Sequence, residues 1–139
     1  MKKSIHLSFF AIVISFFLLA ACSDSSTGVS DDTPPGVPDE ISYAANVQSI
    51  FTNSCATCHI NNTTSGVNLT NFQSVISSVG VQYEREIVVP GNAEDSPLID
   101  KISSNNPRFG SRMPQGRDPL SSTQIEIIRV WINDGALNN

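Results

Sequence analysis

The sequence predicts an all-α domain, and three observations carry that reading. Apolar residues recur at helical spacing in several segments between Ile41 and Asn139. The last of these segments has a capping signal at its start and a glycine stop at its end. No run alternates apolar and polar residues as a half-buried strand would.

Tyr43, Ala44, Val47, Ile50 and Phe51 share one helical face, so 43–54 is expected to be an amphipathic helix. Phe72, Val75, Ile76 and Val79 repeat the spacing, with Thr70 or Asn71 as a cap and Gly80 as a stop. Residues 81–89 read as extended or irregular, closed by Pro90-Gly91. Ser96-Pro97 opens a short helix through Leu98, Ile99 and Ile102, with Ser as N-cap and Pro in the first helical position. Residues 103–119 contain three Pro, two Gly and no apolar period, and form a loop. The final helix is the best specified. Ser121 and Gln124 make a capping box, and Leu120 can staple to Ile125. Ile125, Ile128, Trp131 and Ile132 form its buried stripe, and Gly135 stands where a left-handed C-terminal cap belongs.

The chain has 139 residues, 13 acidic and 8 basic, for a net charge of −5. That length suits one domain and leaves no room for a second catalytic one. The charge disfavours nucleic acid, whose binding needs a basic footprint to displace phosphate counterions. The apolar residues are unevenly placed: residues 1–21 hold four of the seven Phe. Met1-Lys2-Lys3 is a positive start, and Ile5 to Ala21 is an apolar run broken only by His6, Ser8 and Ser15. This has the form of a secretory signal, too short and wrongly flanked for a spanning helix. It ends Leu19-Ala20-Ala21-Cys22, which resembles a bacterial lipobox, with Cys22 the expected lipidation site; the other options are a plain signal peptide with an incidental Cys, or an uncleaved anchor. Several acyl chains together anchor a protein stably. Residues 22–40 are rich in Ser, Asp, Thr, Gly and Pro, and are expected to form a disordered acidic tether. The expected organisation is a lipoprotein signal peptide at 1–21, the lipidated Cys and tether at 22–40, and a folded domain at 41–139. Asp24, Asp31, Asp32, Asp39 and Glu40 lie in the tether, so the domain itself keeps six basic and eight acidic residues.

Cys55-Ala56-Thr57-Cys58-His59 carries the chemistry. A C-x-x-C-H pentapeptide reads as a site of covalent haem attachment. Two thiols three positions apart on a helical turn reach the two vinyl groups of one porphyrin, and the next residue offers its imidazole to the iron. A thioredoxin-like redox pair would sit in a βαβ pattern, which is absent. A closed zinc site needs four ligands, and no second Cys/His pair exists. A disulfide would leave the adjacent His unexplained. Once the signal is removed, His59 and Met113 are the only His and Met left. Met113 stands in the loop as Arg112-Met113-Pro114, where Pro114 biases it towards an extended backbone. A Met most often packs apolar surface. A lone Met in a Pro/Gly/Arg loop is poorly explained that way, so iron ligation is favoured, and His/Met coordination raises the reduction potential.

The order of first helix, CATCH, Gly66, VVPGNAEDSPLIDKI, RMP and LSSTQIEIIRVWINDGA resembles class I c-type cytochromes, in particular the small planctomycete-type cytochrome c domains. The resemblance spans about residues 43–136. It implies about four helices wrapped around one covalently bound haem c, with Cys55 and Cys58 as attachment points, His59 proximal and Met113 distal. It also implies that the first and last helices cross, placing Phe51 near Trp131. The chain departs from many mitochondrial-type relatives in one respect. They have a Pro shortly after the motif His whose carbonyl orients the imidazole, whereas His59 is followed by INNTTSG. Another backbone carbonyl must serve.

Trp131 is expected in the core, with donation to a haem propionate as the other option. Arg108, Arg112 and Arg117 lie in the Met113 loop, as ordinary solvated charges or as propionate partners. Tyr83, Lys101 and Glu84-Arg85-Glu86 read as solvated surface, and Asn-rich 60–62 as a turn at the haem edge.

The expected function is single-electron transfer by a membrane-anchored monohaem cytochrome. A filled sixth position blocks substrate binding, so neither an enzyme activity nor a small-molecule substrate is expected. The alternative is a haem-based sensing module, or an accessory part of a membrane redox complex, whose Met is displaced by a small gas ligand. A peroxidase ranks third, since no distal His is left. The expected partners are redox proteins and, through the lipid, a membrane. The expected location is the bacterial cell envelope, on the inner or outer membrane, facing the periplasm or the exterior.

Overall fold

The computed structural model describes residues 34–139. The signal segment, Cys22 and the tether up to residue 33 lie outside the described residues. Among those described, four α-helices and one very small strand pair make a helix-rich domain, in the order α1 (Gln48–His59), α2 (Phe72–Ile76), β1 (Val79–Gly80), β2 (Arg85–Glu86), α3 (Pro97–Ser103) and α4 (Ser122–Asn133). No helix of the described residues is long and apolar enough to cross a membrane.

The first helix starts with a π-helical turn, Tyr43–Val47, and runs through His59, further than the expected 43–54. Nothing in CATCH breaks a helix, so the whole motif is wound into the last turns of α1. The Ser42 carbonyl accepts from both Asn46 N–H and Val47 N–H, which widens the first turn. Tyr43, Val47, Ile50 and Phe51 are buried as the period requires, but Ala44 faces outward. The amides at this helix start, which have no partner inside the helix, are met from the far end of the chain. Tyr43 N–H donates to Asn139 Oδ1 at 2.8 Å, and Ala44 N–H to the Asn139 carbonyl at 3.2 Å.

Helix α2 is shorter than its apolar spacing suggests. Asn71 caps it by accepting from Ser74 N–H, but it ends at Ile76, and Val79 is exposed and paired with Glu86. Buried Ser78 explains the stop. Its hydroxyl donates to the Ser74 carbonyl and accepts from Asn68 N–H, each at 2.8 Å, which draws the chain into a turn. The segment expected to be extended or irregular joins a hairpin of two residue pairs, Val79 with Glu86 and Gly80 with Arg85.

Helix α3 has Pro97 in its first turn, as expected, but Ser96 does not cap it through its side chain. The Ser96 hydroxyl instead donates to the Asn92 carbonyl and accepts from Val89 N–H, bracing the turn before the helix. Helix α4 carries the complete capping box of Ser121 and Gln124. Leu120 is buried and Ile125 half-buried, both within the core cluster. At its far end Ala136 N–H reaches the Trp131 carbonyl and Gly135 N–H the Ile132 carbonyl, a Schellman pair closed over Gly135 at φ +99°.

Helix α4 packs against α3 and against the π-helical turn, so first and last helices meet there. The ring beside Trp131 is Tyr43, with centroids 5.4 Å apart, and Phe72 meets Tyr43 edge-on at 5.2 Å. Phe51, Ile128, Ile132, Val47 and Val75 fill the rest of the interior. Packed contacts begin before Ile41: the Pro35 carbonyl accepts from the Thr123 hydroxyl, and Val37 lies against the core.

Candidate functional site

Helix α1 delivers Cys55, Cys58 and His59 to one end of the core. Cys55 is half-buried and Cys58 exposed, and neither is in a disulfide. Burial pushes the Cys55 thiol up to about 11, partly offset by the positive charge of Arg117 and reinforced by Cys58. Cys55 and His59 line a partly open cleft. Its other walls are the 65–69 segment, the hairpin from Gly80 to Tyr83, Ile87, the face of α3 from Pro97 to Ile102, and Met113. The lining is mostly apolar with a few polar groups, the character of a cofactor site.

The turn after His59 does what a proline does elsewhere. Nδ1 of His59 stands 3.3 Å from the Val67 carbonyl oxygen. A carbonyl can only accept, so Nδ1 is the donor in this contact, and in the neutral ring that leaves Nε2 as the nitrogen able to bind a metal. The Leu69 N–H bonds the His59 carbonyl at 2.7 Å, closing the segment back onto α1. Gly66 makes this return possible. Its φ is +80°, and a Cβ there would lie 2.3 Å from the Val79 carbonyl oxygen.

Met113 reaches the cleft from the loop between α3 and α4. Its N–H donates to the Lys101 carbonyl at 2.8 Å. The Lys101 ammonium donates to the carbonyls of Phe109 and Ser111 at 2.8 and 2.6 Å. Tyr83 stacks edge-on against Phe109 at 5.0 Å and donates its hydroxyl to Asp100 at 2.5 Å. Burial and the Asp100 carboxylate both push the Tyr83 phenol well above its ordinary range. Tyr83 and Lys101 are therefore part of the cleft, not the solvated surface expected of them. Only the fold that brings hairpin and α3 together reveals this, and no local sequence signal marks either residue.

The arginines separate. Arg117 lies near enough to Cys55 to act on its thiol. Arg112 is committed to α3 and the loop after it, with Nε on the Ile102 carbonyl at 3.0 Å and a guanidinium N–H on Asn105 at 2.9 Å. Arg108 lines a separate polar depression with Arg85, Asp95 and Asp100. Trp131 is corrected as a propionate contact. It is buried, and its indole N–H donates to the Leu137 carbonyl at 2.9 Å, which uses its only donor.

The donor set suits a covalently held haem: paired thiols on one helix end, an imidazole whose Nδ1 faces a backbone carbonyl, and an apolar cleft beside them. Among the described residues no three His, Cys, Asp or Glu side chains converge as a metal cluster would. A helix-rich fold with a C-x-x-C-H helix end over such a cleft makes this a candidate site for covalent haem attachment. Residues 55–115 match the family model described as Planctomycete cytochrome C, the family its motifs resemble. No curated protein matches the chain. Among solved structures, Kuenenia stuttgartiensis Hydrazine Synthase is similar, with 22% identity and a TM-score of 0.46 over 69% of this chain. The chain spans 16% of that protein's length.

Proposed function

We propose that this protein is a monohaem c-type cytochrome, anchored by a lipid on Cys22 and facing an extracytoplasmic space, that carries single electrons between redox proteins. The observation that supports it best is the convergence of Cys55, His59 and Met113 on one apolar cleft, with His59 oriented by Val67. Cys55 and Cys58 would hold the haem covalently, and His59 and Met113 would supply a nitrogen and a sulfur ligand to its iron. When bound, the haem supplies a one-electron couple. The chain's own residues exclude water from one side of it, fix the imidazole and place the thioether. With His59 and Met113 both engaged by the iron, no position would be left for a substrate. Redox encounters need only small transient interfaces, and a lipid with a flexible leash suits movement between membrane-bound partners.

The test is the ferric and ferrous optical spectrum, with potentiometry, of protein from native membranes. A Met-to-iron charge-transfer band, a low-spin ferric state and no CO adduct are expected. A high-spin ferric state or rapid CO binding would sink the His/Met assignment. Mass spectrometry of the same fraction should find Cys22 diacylated at the new N-terminus, and an unlipidated Cys22 would overturn the anchor.

A further inference from the structure

The loop that carries Met113 has little to hold it by burial. Between Ser104 and Ser121 only Pro107 and Leu120 are buried, and the segment contains no helix or strand. A stretch with so little buried apolar surface stays near the low-stability end of a fold unless polar contacts fasten it. Three such contacts belong to one residue of α3. The Lys101 carbonyl accepts from Met113 N–H, and its ammonium donates to the carbonyls of Phe109 and Ser111. Its flanking residues add to the grip: Asp100 accepts from Arg108 N–H at 2.9 Å, and the Ile102 carbonyl accepts from Arg112.

We propose that Lys101 is a positioning residue for Met113, gripping the loop at 109, 111 and 113 so that the thioether is presented to the cleft. This rests on the reading of Met113 as an iron ligand. An ammonium fits the task because it is a compact charge with three donors, and two carbonyls converge on it. Lys101 also lines the cleft, so the grip lies beside the face where the ligand acts. Partial burial holds its ammonium below the ordinary lysine range, as for a charge traded from water to carbonyls.

The experiment compares wild-type holoprotein with Lys101→Met and Lys101→Arg. Methionine keeps an apolar stem of similar length and removes every donor, while arginine keeps donors. In Lys101→Met the haem should stay covalently attached and the domain folded. Its Met-to-iron charge-transfer band should weaken, and the ferrous protein should bind CO faster by about tenfold, the factor that corresponds to losing one modest hydrogen bond. Lys101→Arg should recover the band in whole or part. A Lys101→Met protein with the wild-type band and CO rate overturns the proposal. So does one that fails to fold, because a positioning residue leaves the core intact. Absence of the band in the wild type would instead end the Met113 reading itself, and is seen before any variant is made.

Discussion

The Val67 carbonyl oxygen lies 3.3 Å from Nδ1 of His59, eight residues earlier in the chain. That contact orients the imidazole at the helix end. The oxygen accepts the Nδ1 proton, holds the ring plane, and makes the opposite nitrogen a better donor to a metal. It exists because Gly66 lets the chain fold back tightly against Val79.

Gly66→Ala should therefore act on both stability and potential. A left-handed backbone with a Cβ pressed on a carbonyl costs about 1–3 kcal/mol, measurable by denaturant unfolding. Displacing Val67 weakens its bond to His59 and makes the imidazole a poorer donor. The ferric state then loses more than the ferrous, so the potential should rise. A potential equal to wild type would show that Val67 does not tune the ligand.

Met113→Ala should lower the potential by on the order of 100 mV, a fraction of the roughly 0.8 V range that axial ligands command. The ferrous protein should then bind CO. Potentiometry and CO titration read both effects, and an unchanged spectrum would remove Met113 from the iron.

Trp131→Phe separates the two roles weighed for that residue. Loss of the indole N–H leaves the Leu137 carbonyl without its donor, at a cost of about 1–3 kcal/mol in thermal or denaturant unfolding. The reduction potential should not move. A clear shift in potential with little loss of stability would restore a propionate role.

Tyr43 supplies a pH dependence. Burial raises its phenol from the ordinary 10.0 to about 12, and its hydroxyl donates to Gln48 at 2.6 Å. The native state thus keeps the proton longer than the unfolded chain does. The resulting stability is fully present below pH 10 and is lost as pH rises from 10 towards 12. Unfolding curves should weaken across that window in the wild type. Tyr43→Phe should flatten the slope, and an unaltered slope would assign the alkaline loss elsewhere.

The readable parts of this protein are those whose partners lie within a few residues. The capping box of Ser121 and Gln124, the Gly135 stop and the Asn71 cap are contacts between close neighbours, so their residue types announce them. The C-x-x-C-H spacing is legible for the same reason, because one helical turn fixes how two thiols and an imidazole project. Where local rules compete, the spacing misleads. Ser78 ended α2 early by bonding to Ser74 and Asn68, and Ser96 was drawn away from capping α3 by Asn92 and Val89.

The sequence alone determined the helical class, the attachment motif and the candidate pair His59 and Met113. It even required that some carbonyl replace the missing proline. Only the tertiary structure decided which one. Val67 reaches His59 through a turn seated against Val79, Lys101 holds a loop ten residues away, and Asn139 closes the start of the first helix. The physical reason is common to all three. A backbone carbonyl or amide is the same group at every position, so its identity as a partner comes from where the fold carries it and not from any side chain that names it.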